Sequence, residues 1–78
     1  MSMTDVKAAF IEALGSKATC TGATMTYEDG GMEQRLDFTI VLPDGETEIL
    51  SESVPARADL VAHSRKMAKA YVAGDITR

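Results

Sequence analysis

From Thr4 onward the apolar positions Val6, Phe10, Ala13 and Leu14 recur at the three- and four-residue spacing of a helix, Asp5 sits in the first turn, and Gly15 follows the last apolar residue. Residues so spaced share one side of a 3.6-residue helix, an early acid complements the positive end of the dipole, and glycine marks a stop, so the pattern predicts a helix over 4–14. Residues 16–22 are small and polar with neither periodicity and read as a crossing loop that carries Cys20. At Ala23 the period becomes two: Ala23, Met25 and Tyr27 alternate with Thr24, Thr26 and Glu28 until Asp29-Gly30-Gly31, which reads as a strand and a hairpin turn. Leu36, Phe38, Ile40 and Leu42 then alternate with Arg35, Asp37, Thr39 and Val41, a second strand closed by a Pro43-Asp44-Gly45 turn.

The third strand is read over Glu46 to Val54, where Ile49 and Leu50 point to opposite faces and only one can join the core. The reading places Ile49 inward, beside Ile40. Pro55 suits the first turn of a last helix, Asp59 complements its positive end, and Leu60, Val61, Ser64, Met67, Ala68, Tyr71 and Val72 form its stripe, with Gly74 ending it. Arg57 then falls among the inward residues, which requires either that its tip pass the edge of the core or that the helix begin after Pro55. The expected fold is α+β, one domain over 1–78: helix, three-stranded antiparallel sheet, helix, in two layers with both helices on one sheet face. No internal repeat or low-complexity segment interrupts it.

Composition narrows the function. At 78 residues and 45% hydrophobic, nearly every large apolar side chain is needed for one core, leaving few to line a deep pocket, which argues against an enzyme. No apolar run exceeds four residues, and the longest purely aliphatic stretch without alanine is Ile40-Val41-Leu42, far short of a membrane span; the start has no secretory pattern. A single cysteine excludes an intrachain disulfide framework, so a reducing, cytoplasmic location is expected, the host cytoplasm if the chain is phage-encoded.

The net charge of −4 is unevenly spread: residues 1–54 carry −7 and residues 55–78 carry +3. Glu28, Asp29, Glu33, Asp37, Asp44, Glu46, Glu48 and Glu52 oppose Arg35 alone, and those on the outward pleat are expected to make the open sheet face acidic. Arg65, Lys66 and Lys69 form a basic island on the last helix. One histidine, His63, and one cysteine make neither a zinc site nor a nucleophile and base pair; His63 reads as a surface residue and Cys20 as a structural thiol or, under oxidising conditions, an intermolecular disulfide. Asp44-Gly45-Glu46-Thr47-Glu48 lacks the spacing of a calcium loop, and Gly30-Gly31 joins antiparallel strands and opens no helix onto a phosphate. Met25 and Met67 fall on core stripes. No cofactor is expected, and no catalytic residue is assigned.

Two resemblances follow from these features. The element order, with Phe38-Thr39-Ile40 in the middle strand and Ser64-Arg65-Lys66-Met67-Ala68-Lys69 in the last helix, resembles the double-stranded RNA-binding domain, and that resemblance would give Arg65, Lys66 and Lys69 the role of gripping phosphates. The chain departs from that family in its long lead from Pro55 to Ser64, in lacking the Gly-Pro-x-His hairpin loop, and in the −7 of its sheet half. In size, acidity and lack of chemistry the chain resembles the anti-CRISPR inhibitors of phages and mobile elements, which implies binding to a subunit of a CRISPR effector complex and obstruction of target DNA capture. Carboxylates along a strand suit a Lys/Arg-lined channel for the reason phosphates do, and the residues expected to make contact are Asp37, Asp44, Glu46, Glu48 and Glu52. A small phage structural or assembly protein stays open as a third reading, as does a homodimer through a sheet edge or Cys20.

Overall fold

The computed structural model describes residues 2–74, so Asp75 and Arg78, counted in the charge of the C-terminal part, lie outside the described residues. The order is α1 (Met3–Leu14), β1 (Thr19–Glu28), a 3-10 turn (Asp29–Gly31), β2 (Glu33–Val41), β3 (Thr47–Pro55) and α2 (Leu60–Val72). The strands form one antiparallel sheet with β2 in the centre, and both helices cover one of its faces. The α+β architecture expected from periodicity is therefore the one found.

The helix starts where its amide groups find an acceptor. The Ser2 hydroxyl accepts from the Asp5 amide at 3.3 Å, so Ser2 caps α1 and Thr4 lies inside it. Asp59 does the same for α2, its carboxylate accepting from the Ala62 amide at 3.1 Å. This moves the start of α2 from the expected Pro55 to Leu60. Pro55 instead ends β3, where its missing amide costs no ladder bond, and Arg57 lies exposed in the turn with no need to reach past the core. The turn is pinned to the start of β2: the Ala56 amide donates to the Met32 carbonyl, and the buried Gln34 side-chain amide donates to the Ala56 carbonyl at 2.7 Å.

Two further expectations change. Residues 19–22, read as loop, belong to β1, because Cys20 pairs with Ile40 and points into the core while Thr21 is an extra residue that the ladder skips before Gly22 pairs with Thr39. That bulge breaks the alternation at Thr21 and hides the strand from a period-two reading. In β3 it is Leu50, opposite Phe38 and 4% exposed, that enters the core, while Ile49, opposite Thr39, is 64% exposed. Ile40 faces Glu48 instead. Val54 carried the missing signal: four residues beyond Leu50, it shares that pleat, and it too is buried.

The core is a single cluster. Val6, Phe10 and Leu14 of α1 and Leu60, Met67, Ala68 and Tyr71 of α2 cover Leu36, Phe38, Ile40, Leu50 and Val54 of the sheet. Phe10 and Phe38 stack with ring centres 3.9 Å apart and planes 4° from parallel, joining helix layer to sheet at its centre. Ser64, read onto the α2 stripe, is fully buried there and returns its hydroxyl to the Val61 carbonyl at 2.8 Å.

Candidate docking surfaces

Strand register decides which acids face which way. Residues 35, 37, 39 and 41 of β2 share the open face with Thr24, Thr26 and Glu28 of β1 and with Thr47, Ile49, Ser51 and Ser53 of β3. This face is hydroxyl-rich and keeps a mild excess of acid, with Glu28, Glu33 and Asp37 against Arg35, but, contrary to expectation, Glu48 and Glu52 are not on it. Arg35 sits between Glu28 at 3.2 Å and Asp37 at 3.1 Å, the Ser51 hydroxyl donates to Asp37, and the Ser53 hydroxyl donates to Glu28 at 2.9 Å. The Ser51 hydrogen bond and the Arg35 guanidinium hold the Asp37 carboxyl below its usual range.

The remaining acids of the β2–β3 hairpin lie elsewhere. Glu48 and Glu52 alternate with the open-face residues and so stand on the helix side of β3, along its outer edge. Each meets α2 there: the Tyr71 hydroxyl donates to Glu48 at 2.9 Å, and His63 Nε2 lies 2.8 Å from a Glu52 oxygen, off the line of a hydrogen bond. His63, read as a surface residue, is thus largely covered. Asp44 and Glu46 occupy the exposed turn, where the Asp44 carboxylate accepts from the Glu46 amide at 2.9 Å and fixes the loop, and Gly45 takes a positive φ of 91°. Among the described residues neither Asp44 nor Glu46 forms an ion pair.

The five acids singled out from the sequence are therefore split. Asp44, Glu46, Glu48 and Glu52 follow one another around the turn and up the β3 edge, whereas Asp37 lies on the opposite face, held within the sheet. The contacts of Tyr71 with Glu48 and of His63 with Glu52 were missed because they depend on the β3 register, and placing Ile49 inward turned both acids to the open face.

The basic residues do assemble. Arg65, Lys66 and Lys69 are exposed on the outer side of α2 along an open trough of about 680 Å³ shared with alanines 62, 70 and 73. Arg65 approaches Glu12 of α1 only to 3.9 Å, and neither Lys66 nor Lys69 has an ion-pair partner among the described residues. A smaller groove of about 230 Å³, between the start of α1 and the β1–β2 end of the sheet, is lined by residues such as Met3, Met25, Tyr27 and Leu60 and contains no carboxylate, histidine, lysine or arginine. Among the described residues no three His, Cys, Asp or Glu side chains converge as metal ligands. The Cys20 thiol is buried, donates to the Gly22 carbonyl at 3.4 Å, and is pushed up in pKa by that burial. It faces the core and is poorly placed for an intermolecular disulfide.

Comparison of the chain with protein-family models, curated proteins and solved structures found no match. No helix among the described residues is long and apolar enough to cross a membrane.

Proposed function

We propose that this chain is a non-enzymatic binding protein that presents its β2–β3 turn and β3 edge, through Asp44, Glu46, Glu48 and Glu52, to a Lys/Arg-lined surface of a partner protein. The supporting observation is the exposed turn, where Asp44 and Glu46 stand without a counter-ion among the described residues while Glu48 and Glu52 extend the same charge along the edge. Desolvating an unpaired surface carboxylate is offset only by a cation brought by a partner, so this end favours basic surfaces and steers their approach. The most concrete form is an anti-CRISPR-type inhibitor that occupies the nucleic-acid channel of an effector subunit and blocks target DNA capture. Asp37 contributes least, since Arg35 and Ser51 already engage its carboxylate within the sheet.

The test is inhibition of target-duplex binding by purified CRISPR effector complexes, with the wild-type chain compared against Asp44→Lys/Glu46→Lys. Inhibition that weakens with salt and is lost in the double variant supports the reading. Inhibition that the charge reversal leaves intact overturns the acidic-turn contact, and no inhibition across the effectors overturns the anti-CRISPR form.

A second reading rests on the outer side of α2, where Arg65, Lys66 and Lys69 share one exposed stripe. Three cations on a chain of net charge −4 suit weak, salt-sensitive phosphate contact. In the α2 observed here they begin in the second turn, so the helix N-terminus is not the contact. A gel shift with duplex RNA and DNA at low salt, repeated with all three neutralised, decides this reading.

A further inference from the structure

The two outer strands of the sheet are protected unequally. The β3 edge carries Glu48 and Glu52, follows Glu46 and ends in Pro55, all features that discourage another strand from pairing. The β1 edge is less protected: from Thr19 to Tyr27 it has no charged residue and no proline, its terminal Glu28 is paired with Arg35, and its ladder is interrupted by the bulge at Thr21. Beyond the bulge, residues 22–28 run in uninterrupted register with β2, and the other side of the strand pairs with no strand among the described residues.

We propose that a second copy of this chain pairs antiparallel with β1, edge to edge about a two-fold axis near Met25, to give a continuous six-stranded sheet. Three observations select this occupant. On a molecule of net charge −4, an uncharged edge is where two copies meet without repulsion. The regular stretch is self-complementary about Met25: bulky Tyr27, 64% exposed, falls opposite the small Ala23 of the other copy, and Thr24 falls opposite Thr26. The strand also runs beside α1, on which Ile11 leaves apolar surface 44% exposed. Antiparallel pairing places the two β3 edges at the far ends of the dimer, so the proposal stands independently of what the acidic turn binds.

Sedimentation equilibrium over a range of concentrations tests the pairing, using the full chain and two exposed substitutions, Thr24→Lys and Thr26→Glu, with circular dichroism confirming their fold. The wild type should show a monomer–dimer equilibrium. Each variant alone should raise the dissociation constant roughly tenfold or more by setting like charges diagonally across the axis. An equimolar mixture should recover dimer, because the lysine introduced in one copy then faces the glutamate introduced in the other. A wild type that stays monomeric throughout overturns the proposal. So does a dimer that both variants leave unchanged, or a mixture that associates no better than either variant alone.

Discussion

Replacing Leu50 and Ile49 separately by alanine tests the register of β3 and with it the placement of Glu48 and Glu52. The two neighbours are similar in size, yet Leu50 packs in the central cluster opposite Phe38 at 4% exposure, while Ile49 stands on the open face at 64%. Truncating a buried leucine removes its transfer free energy and leaves a cavity, together about 2–5 kcal/mol, with a value near 3 expected for an edge strand flanked by α2. In a domain of this size each kcal/mol moves the melting temperature by roughly 4–8 °C, so Leu50→Ala should melt roughly 12–24 °C lower. Ile49→Ala loses mainly strand propensity and should cost under about 1 kcal/mol. Urea and thermal denaturation followed by circular dichroism give both values. Equal costs, or a larger cost at Ile49, would refute the register and return Glu48 and Glu52 to the open face.

Other consequences are equally direct. Asp59→Ala removes the cap of α2 and should cost about 1 kcal/mol in denaturant titration, whereas Asp59→Asn, which keeps an acceptor for the Ala62 amide, should cost much less. The Asp37 carboxyl is held below its ordinary value of 3.8 by Ser51 and Arg35, so the stability it contributes is present above that pH and is lost as the pH falls through the lower folded value. Asp37→Asn should therefore be less stable than wild type at neutral pH, by on the order of 1 kcal/mol after solvent screening, with the gap closing in acid. Cys20 should react with a thiol reagent at least about tenfold more slowly in the folded chain than in denaturant, because the buried thiol resists ionisation; equal rates would contradict its place in the core.

The parts of the fold that follow from uninterrupted periodicity were legible. The alternation of Leu36, Phe38 and Ile40 located β2 and its inward face, and the stripe from Leu60 to Tyr71 located α2 together with its buried Ser64. Errors arose where a single residue shifts phase or where two local signals compete. Thr21 is inserted into β1 and hides Thr19 and Cys20 from the strand pattern, and adjacent Ile49 and Leu50 offer opposite answers that only Val54 resolves. Pro55 is equally at home opening a helix or closing an edge strand, and the carboxylate of Asp59 decides the matter. At the candidate surfaces the sequence supplied the charges but not their pairing. Arg35 reaches Glu28 across seven residues and Tyr71 reaches Glu48 across twenty-three, partnerships that exist only once the strands are in register and α2 lies over β3.

The amide of Gln34 bears on how this molecule can exchange parts with its neighbours. A C-terminal helix joined by a short connection is a common candidate for swapping between protomers, since opening the hinge lets an identical element dock in its place. Here the hinge is stitched to the middle strand by Gln34 on the Ala56 carbonyl and by Ala56 on Met32, both lost as soon as the hinge straightens. Reciprocal exchange of α2 would begin by stranding a buried amide, a cost that disfavours swapping of this helix.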